Sequence, residues 1–207
     1  MDHAAWNKRY AQREFVWSLT PNQTVVAETA HLKPATALDL ACGEGRNAVW
    51  LAEHDWQVSA VDYAETGLDK ARQLAAVREV AVHWILADVT EYLPSPATFA
   101  LVLIAYLHLP AHQREQLMRN ACQALQPGGT LLYIGHDLSN IEHGWGGPQD
   151  PAVLCTPQDI ANLLPDFKLE KAEIFERPVM QEPGHGKPGE AGAIALDMLV
   201  RALKPAP

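Results

Sequence analysis

Ala37-Leu38-Asp39-Leu40-Ala41-Cys42-Gly43-Glu44-Gly45-Arg46-Asn47 is a short apolar strand carrying one acid, a glycine turn, and the first residues of a helix. Glycines let backbone approach a ligand closely, and a helix start offers N–H groups to a carboxylate or phosphate. This order builds a nucleotide-type pocket. Asp62 ends the next apolar run, 17 residues beyond Gly45, where a ribose-binding carboxylate belongs.

Outward from that stretch, apolar runs alternate with amphipathic ones. Residues 37–40, 57–61, 80–86, 99–105 and 130–134 read as buried parallel strands, and residues 46–54, 66–77 and 112–125 as helices. Pro127-Gly128-Gly129 reads as the turn into the fifth strand. The alternation predicts an α/β fold: a doubly wound, Rossmann-like sheet with helices on both faces and a ligand site at the carboxyl ends of the strands. Before it, Thr20-Pro21-Asn22-Gln23 reads as a helix start with Thr20 as cap, in an aromatic, helical segment covering residues 1–33. After it, Thr156-Pro157-Gln158-Asp159 opens a short helix, and residues 168–175 and 194–203 form an edge hairpin with one strand reversed. Residues 182–189 are the expected turn of that hairpin. The length of 207 residues predicts a single domain, with residues 137–157 as a loop on the acceptor side.

Sixteen basic against 25 acidic residues give a formal charge of −9, which argues against a nucleic acid or an anionic membrane held on a broad basic surface. Three cysteines without C-x-x-C spacing suggest neither a disulfide framework nor a zinc site. The N-terminus lacks a signal-peptide pattern, and the longest apolar run is too short to span a bilayer. A cytoplasmic protein, monomer or homodimer, with no bound metal is expected.

Two cofactors compete for the glycine turn. Gly43-x-Gly45-x-x-Ala48 satisfies the dinucleotide fingerprint, which favours an NAD(P)-dependent oxidoreductase. However, Asp39 sits four residues before Gly43, where it would repel a pyrophosphate and attract a cationic amino group. Asp39-x-Ala41-x-Gly43-x-Gly45, Asp62, Leu86-Ala87-Asp88-Val89 and Leu125-Gln126-Pro127-Gly128-Gly129-Thr130-Leu131 together resemble the motifs of class I S-adenosylmethionine-dependent methyltransferases, with Ala41 replacing the first glycine. The resemblance implies a seven-stranded sheet with its last strand reversed. It implies Asp39 facing the cofactor's ammonium, backbone N–H groups at 43–46 on its carboxylate, Asp62 on both ribose hydroxyls and Asp88 on the adenine amino group. Arg46, Tyr63 and Val89 join that set by position. Each aspartate also has a structural reading: Asp39 capping the loop, Asp62 capping the next helix, Asp88 ending a strand. Glu44 is read as a loop residue whose backbone matters more than its carboxylate.

Trp6-Asn7-Lys8-Arg9-Tyr10 and Trp17 resemble the lead-in of small bacterial methyltransferases of the tellurite-resistance and thiopurine type. In such enzymes this segment folds over the cofactor. That implies Arg9 on the methionyl carboxylate, with Tyr10 and Trp17 at the pocket and Trp17 shielding the sulfonium by cation–π contact. Stapling of the first helix to the sheet is the alternative role.

The acceptor is less legible. Tyr106 and His108 end the fourth strand, beside the transferred methyl in such a fold, and are the catalytic candidates. His108 is proposed as a base near neutrality, or else as a surface or helix-capping residue. The Asn/Asp-Pro-Pro-aromatic motif of amide and adenine methylation is missing there. His136, His143 and Trp145 are expected to line the acceptor site. The sequence therefore predicts a methyltransferase, converting S-adenosylmethionine to S-adenosylhomocysteine, that acts on a small molecule at oxygen, sulfur or a metalloid. A cofactor-binding module without catalysis is the third reading.

Overall fold

The computed structural model describes residues 3–179 and 192–206. The chain divides into two compact units, the first running to Tyr92 and the second beginning at Leu93. The strands of the first unit pair in parallel, and those of the second form a mixed ladder in which the last strand in sequence is antiparallel to both of its neighbours.

The first unit holds α1 (His3–Ala11), α2 (Gln23–Thr29), β1 (Thr36–Leu40), α3 (Arg46–Glu53), β2 (Gln57–Asp62), α4 (Glu65–Val77) and β3 (His83–Leu86). β1 pairs with β2, and β2 with β3, all in parallel. Leu38, Leu40, Ala60 and Val61 are buried at 0–1% exposure, so both strand faces are covered, as a parallel sheet requires. α2 begins later than the sequence suggested. Asn22, not Thr20, is its cap: the side-chain oxygen accepts from the N–H groups of Thr24 and Val25, leaving Pro21 outside the helix. Asn22 is held there by its own N–H, which donates to Asn47 Oδ1 at 2.9 Å.

β3 is shorter than the apolar run 80–86 for a definite reason. Val80 N–H bonds to Ala75 O and Glu79 N–H to Ala76 O, with Glu79 at φ +56. This is a Schellman close of α4, and it takes Val80 out of the ladder. α3 closes the same way, with Asp55 at φ +65 and Trp56 N–H on Leu51 O. Neither close uses glycine, so no stop signal was visible.

The second unit holds β4 (Phe99–Ala105), α5 (Ala111–Ala124), β5 (Leu125–His136), α6 (Asn140–His143), α7 (Pro157–Ala161), β6 (Lys168–Pro178) and β7 (Ile194–Leu203). The capping box at Thr156 and Asp159 opens α7 as expected. Pro127-Gly128-Gly129 is not a turn ahead of β5 but an irregularity inside it: pairing jumps from Phe99↔Leu125 to Leu101↔Thr130. The chain after β7 supports this bulge, because Gly128 N–H donates to Lys204 O and Lys204 N–H to Gly129 O. The Lys204 ammonium also caps the end of α5 through Cys122 O and Leu125 O. The hairpin turn expected over 182–189 lies outside the described residues.

At Gly45, φ is +79, and a Cβ would lie 2.6 Å from Ala71 Cβ and 2.8 Å from the Trp84 ring. Gly45→Ala is expected to lower stability by about 2–4 kcal/mol through overpacking and left-handed strain. Urea unfolding of the variant checks this.

Candidate cofactor and acceptor sites

The first site is built where β1 and β2 end. Asp39 is 1% exposed, and its Oδ2 has no hydrogen-bond partner. Burial, then the nearby Asp62, push its carboxyl up to about 7, against the opposing pull of Arg46. Ala41 follows at φ +64, a left-handed conformation that costs a residue with a Cβ about 1–2 kcal/mol. Cys42 lies in the same turn, and burial pushes its thiol well up, away from a nucleophile's thiolate.

Asp62 is committed on both oxygens. Oδ2 accepts from Gly43 N–H and Oδ1 from Ala64 N–H, each at 2.8 Å. It therefore fastens the glycine turn to the start of α4, which is the capping role, and a carboxylate's four lone-pair sites still leave capacity for a ligand hydroxyl. Of the backbone donors expected for the cofactor carboxylate, Gly43 N–H goes to Asp62 and Gly45 N–H to Cys42 O. Asp88 is exposed, and its Oδ1 accepts from the N–H and hydroxyl of Thr90, while Val89 beside it is buried. Tyr63 is half-buried against Tyr10, Val16 and Ala64.

The lead-in segment is stitched to this turn by groups the sequence reading missed. Glu44, 3% exposed, accepts from Val16 N–H with both oxygens, from Trp17 N–H, and from the Lys70 ammonium at 2.9 Å. Lys70 also donates to Tyr10 O and Arg13 O. The expectation that the backbone of Glu44 matters more than its carboxylate is thereby corrected. Tyr10 is buried with its hydroxyl over Gly43, where a Cβ would sit 2.8 Å away. Arg9 lies over the Trp6 and Trp17 rings at 5.1 and 5.0 Å, so the cation now facing Trp17 is Arg9. Arg46 reaches Ser18 Oγ at 3.4 Å.

The second site lies at the ends of β4 and β5. Tyr106 adopts φ +57, an outlier for a bulky side chain. Its hydroxyl donates to Asp197 Oδ2, which also accepts from Arg177 Nε. His136 Nδ1 stands 2.9 Å from Asp197 Oδ1, too far out of line for a regular hydrogen bond. Burial would raise the Asp197 carboxyl, yet His136 and Arg177 hold it below the usual carboxylate range. His108 stacks on His136, and its Nε2 accepts from the His136 backbone N–H. Burial, then His136, push His108 down to about 3. This corrects the expectation of a base near neutrality: a ring kept neutral, with Nε2 committed, does not serve as that base. Neither His143, exposed and 3.7 Å from Glu142, nor half-buried Trp145 hydrogen-bonds to this cluster. Gly147 is the loop residue on His136: at φ +72, its Cβ would meet the ring at 2.6 Å. Asp197 was findable as the lone acid inside the apolar run Ile194–Leu203, but Lys70 and Arg177 left no such signal.

Residues 37–129 match the family described as "Methyltransferase domain". Over those residues the chain is similar to methyltransferase domains. It is 28% identical over 104 residues to a ubiquinone biosynthesis O-methyltransferase of Coxiella burnetii, covering 49% of this chain and 44% of the relative. It is 28% identical over 112 residues to ribosomal RNA small subunit methyltransferase C of Alcanivorax borkumensis, covering 50% and 33%. The chain thus spans less than half the length of these curated relatives. Among solved structures, the N-methyltransferase NodS of Bradyrhizobium japonicum WM9, in complex with S-adenosylhomocysteine, shares the fold at TM-score 0.72. The two are 15% identical over 98% of each chain. The matched residues take in the glycine turn and Asp39, Asp62 and Asp88. Among the described residues no helix is long and apolar enough to cross a membrane.

Lys70→Met leaves Glu44 buried without its cation and is expected to lower stability by about 2–3 kcal/mol. Pairing it with Glu44→Gln should recover part of that loss. A double-mutant cycle by chemical unfolding, followed by tryptophan fluorescence, measures the coupling.

Proposed function

We propose that this protein transfers the methyl group of S-adenosylmethionine to a small-molecule acceptor at oxygen, sulfur or a soft metalloid. One observation carries the cofactor assignment: Asp39 Oδ2 is buried, unpartnered, and at the end of β1 beside the glycine turn. A buried carboxylate lacking a partner is costly, and a ligand ammonium relieves the cost. A dinucleotide pyrophosphate would worsen it, which counts against the oxidoreductase reading.

Asp39 would hold the ammonium, Asp62 the ribose hydroxyls through its remaining lone pairs, and Asp88 the adenine amino group. Tyr10, Tyr63 and Val89 would line the pocket with Ala41, Gly43 and Gly45. Arg9, Arg46 and Trp17 would close the methionyl end. The group supplies an electrophilic methyl on a sulfonium; the protein's part is to orient it and exclude water. Residues 1–33 would act as the cover and 137–157 as the acceptor-side loop of a single methyltransferase domain. His136 would contact the acceptor, with His143 and Trp145 nearer the loop's outer face. The formal charge of −9 supports a small acceptor over a nucleic acid. A cytoplasmic monomer or homodimer fits the reduced, acidic composition.

With Asp39 pushed up to about 7 in the free protein, its ionised form is scarce below that pH. A bound ammonium favours the ionised form, so affinity is full above about pH 7 and falls towards tenfold per unit below it. The same raised value means that the unliganded protein loses stability as pH rises from the ordinary carboxylate range to about 7. Calorimetric titration with S-adenosylhomocysteine should show that affinity profile, and Asp39→Asn should weaken binding and flatten it. A sloping profile in the folded variant would place the ammonium elsewhere.

A further inference from the structure

Five side chains from four segments of the second unit converge on one point. Asp197, on β7, is fully buried and takes both Tyr106, from the end of β4, and Arg177, from β6, on its Oδ2. Its Oδ1 faces only His136 Nδ1 among the described residues, at 2.9 Å. His136 is further bounded by the edge of the Tyr106 ring at 5.3 Å and by the stacked His108 at 5.4 Å. Asp137, its neighbour in sequence, turns Oδ1 to Ser139 instead. The carboxylate beside Nδ1 favours the tautomer with the ring proton on that nitrogen, leaving Nε2 with the lone pair. Nε2 makes no hydrogen bond to a described residue, and the side chain keeps 12% exposure. Gly147 packs on the same ring, where any Cβ would collide.

We propose that His136, oriented by Asp197, is the proton acceptor for a phenol-type hydroxyl on a planar ring, and that this hydroxyl is the methyl acceptor. The inference rests on the methyl-transfer reading above. A carboxylic acid ionises unaided near neutrality, and an amine or metalloid lone pair needs no base. An Asp-oriented imidazole is useful where the acceptor holds its proton, as a phenol does. The Tyr106 ring, edge-on to His136, offers an aromatic contact to such a partner. In the step, the acceptor's O–H bond breaks and its proton passes to His136 Nε2. The oxygen lone pair forms the bond to the methyl carbon as the carbon–sulfur bond breaks. That bond's electron pair stays on sulfur, giving neutral S-adenosylhomocysteine, and the imidazolium later loses its proton to solvent. Tyr106 and Arg177 act as positioning residues through Asp197.

The test uses 4-nitrophenol with the full chain saturated in S-adenosylhomocysteine, buffered well below the pKa of the free phenol. The bound probe is expected to show the nitrophenolate absorption band. His136→Gln should abolish the band without changing S-adenosylhomocysteine affinity. With S-adenosylmethionine, that variant should turn the probe over about 10²–10⁴-fold more slowly, with KM little changed. Without any variant, bound probe should protect His136, and not the exposed His143, from diethyl pyrocarbonate. A probe that fails to bind, binds as the neutral phenol, leaves His136 unprotected, or ionises equally in His136→Gln overturns the assignment. Failure of S-adenosylhomocysteine itself to bind overturns the methyl-transfer reading instead, so the two failures are distinguishable.

Discussion

Two carboxylates, Asp39 and Asp62, are buried side by side where adjacent parallel strands end, and the first unit is organised around that fact. The sheet dictates their closeness, because β1 and β2 run in register up to Leu40 and Val61. Asp62 resolves its burial internally by accepting two backbone N–H groups. Asp39 does not, and burial beside a second acid raises its carboxyl to about 7. A fold that keeps such a group carries a standing preference for a cation at that point. The backbone beyond Asp39 turns through left-handed residues at Ala41, Gly43 and Gly45.

A second pair of charges binds the lead-in segment to this turn. Glu44 lies between Gly43 and Gly45 yet spends its carboxylate on Val16, Trp17 and Lys70. The segment between α1 and α2 has no regular structure, so its backbone groups need partners from elsewhere. Glu44 and Lys70 supply them as charge-assisted bonds, which are shorter and stronger than neutral ones. Order in the segment and the shape of the cofactor turn therefore depend on the same two side chains.

The second unit uses the same device at Asp197, where one buried carboxylate gathers a phenol, a guanidinium and an imidazole. It too holds a strained residue, Tyr106, in place. Backbone strain of this kind persists only where neighbours over-determine it, and it concentrates at functional sites.

Local signals in the chain were enough to establish the alternating α/β order, the reversed last strand and the acids that end β1, β2 and β3. Apolar periodicity and glycine placement report backbone geometry that each segment imposes by itself. They were also enough for β4 and β7, whose apolar runs match their observed bounds. Local pattern failed where a residue's role is set by a partner far along the chain. Thr20 lost the cap to Asn22 because Asn47 holds Asn22 in place, and Pro127-Gly128-Gly129 became a bulge because Lys204 pairs with it. His108 became a neutral acceptor under His136, and Asp197 and Lys70 acquired their tasks across 60 to 91 positions of sequence. Sequence alone thus determined which backbone path the chain follows, since torsional and hydrophobic preferences are local. Only the tertiary structure decided which side chains are charged, paired or left waiting for a ligand, because burial and Coulomb neighbours exist only once distant segments meet.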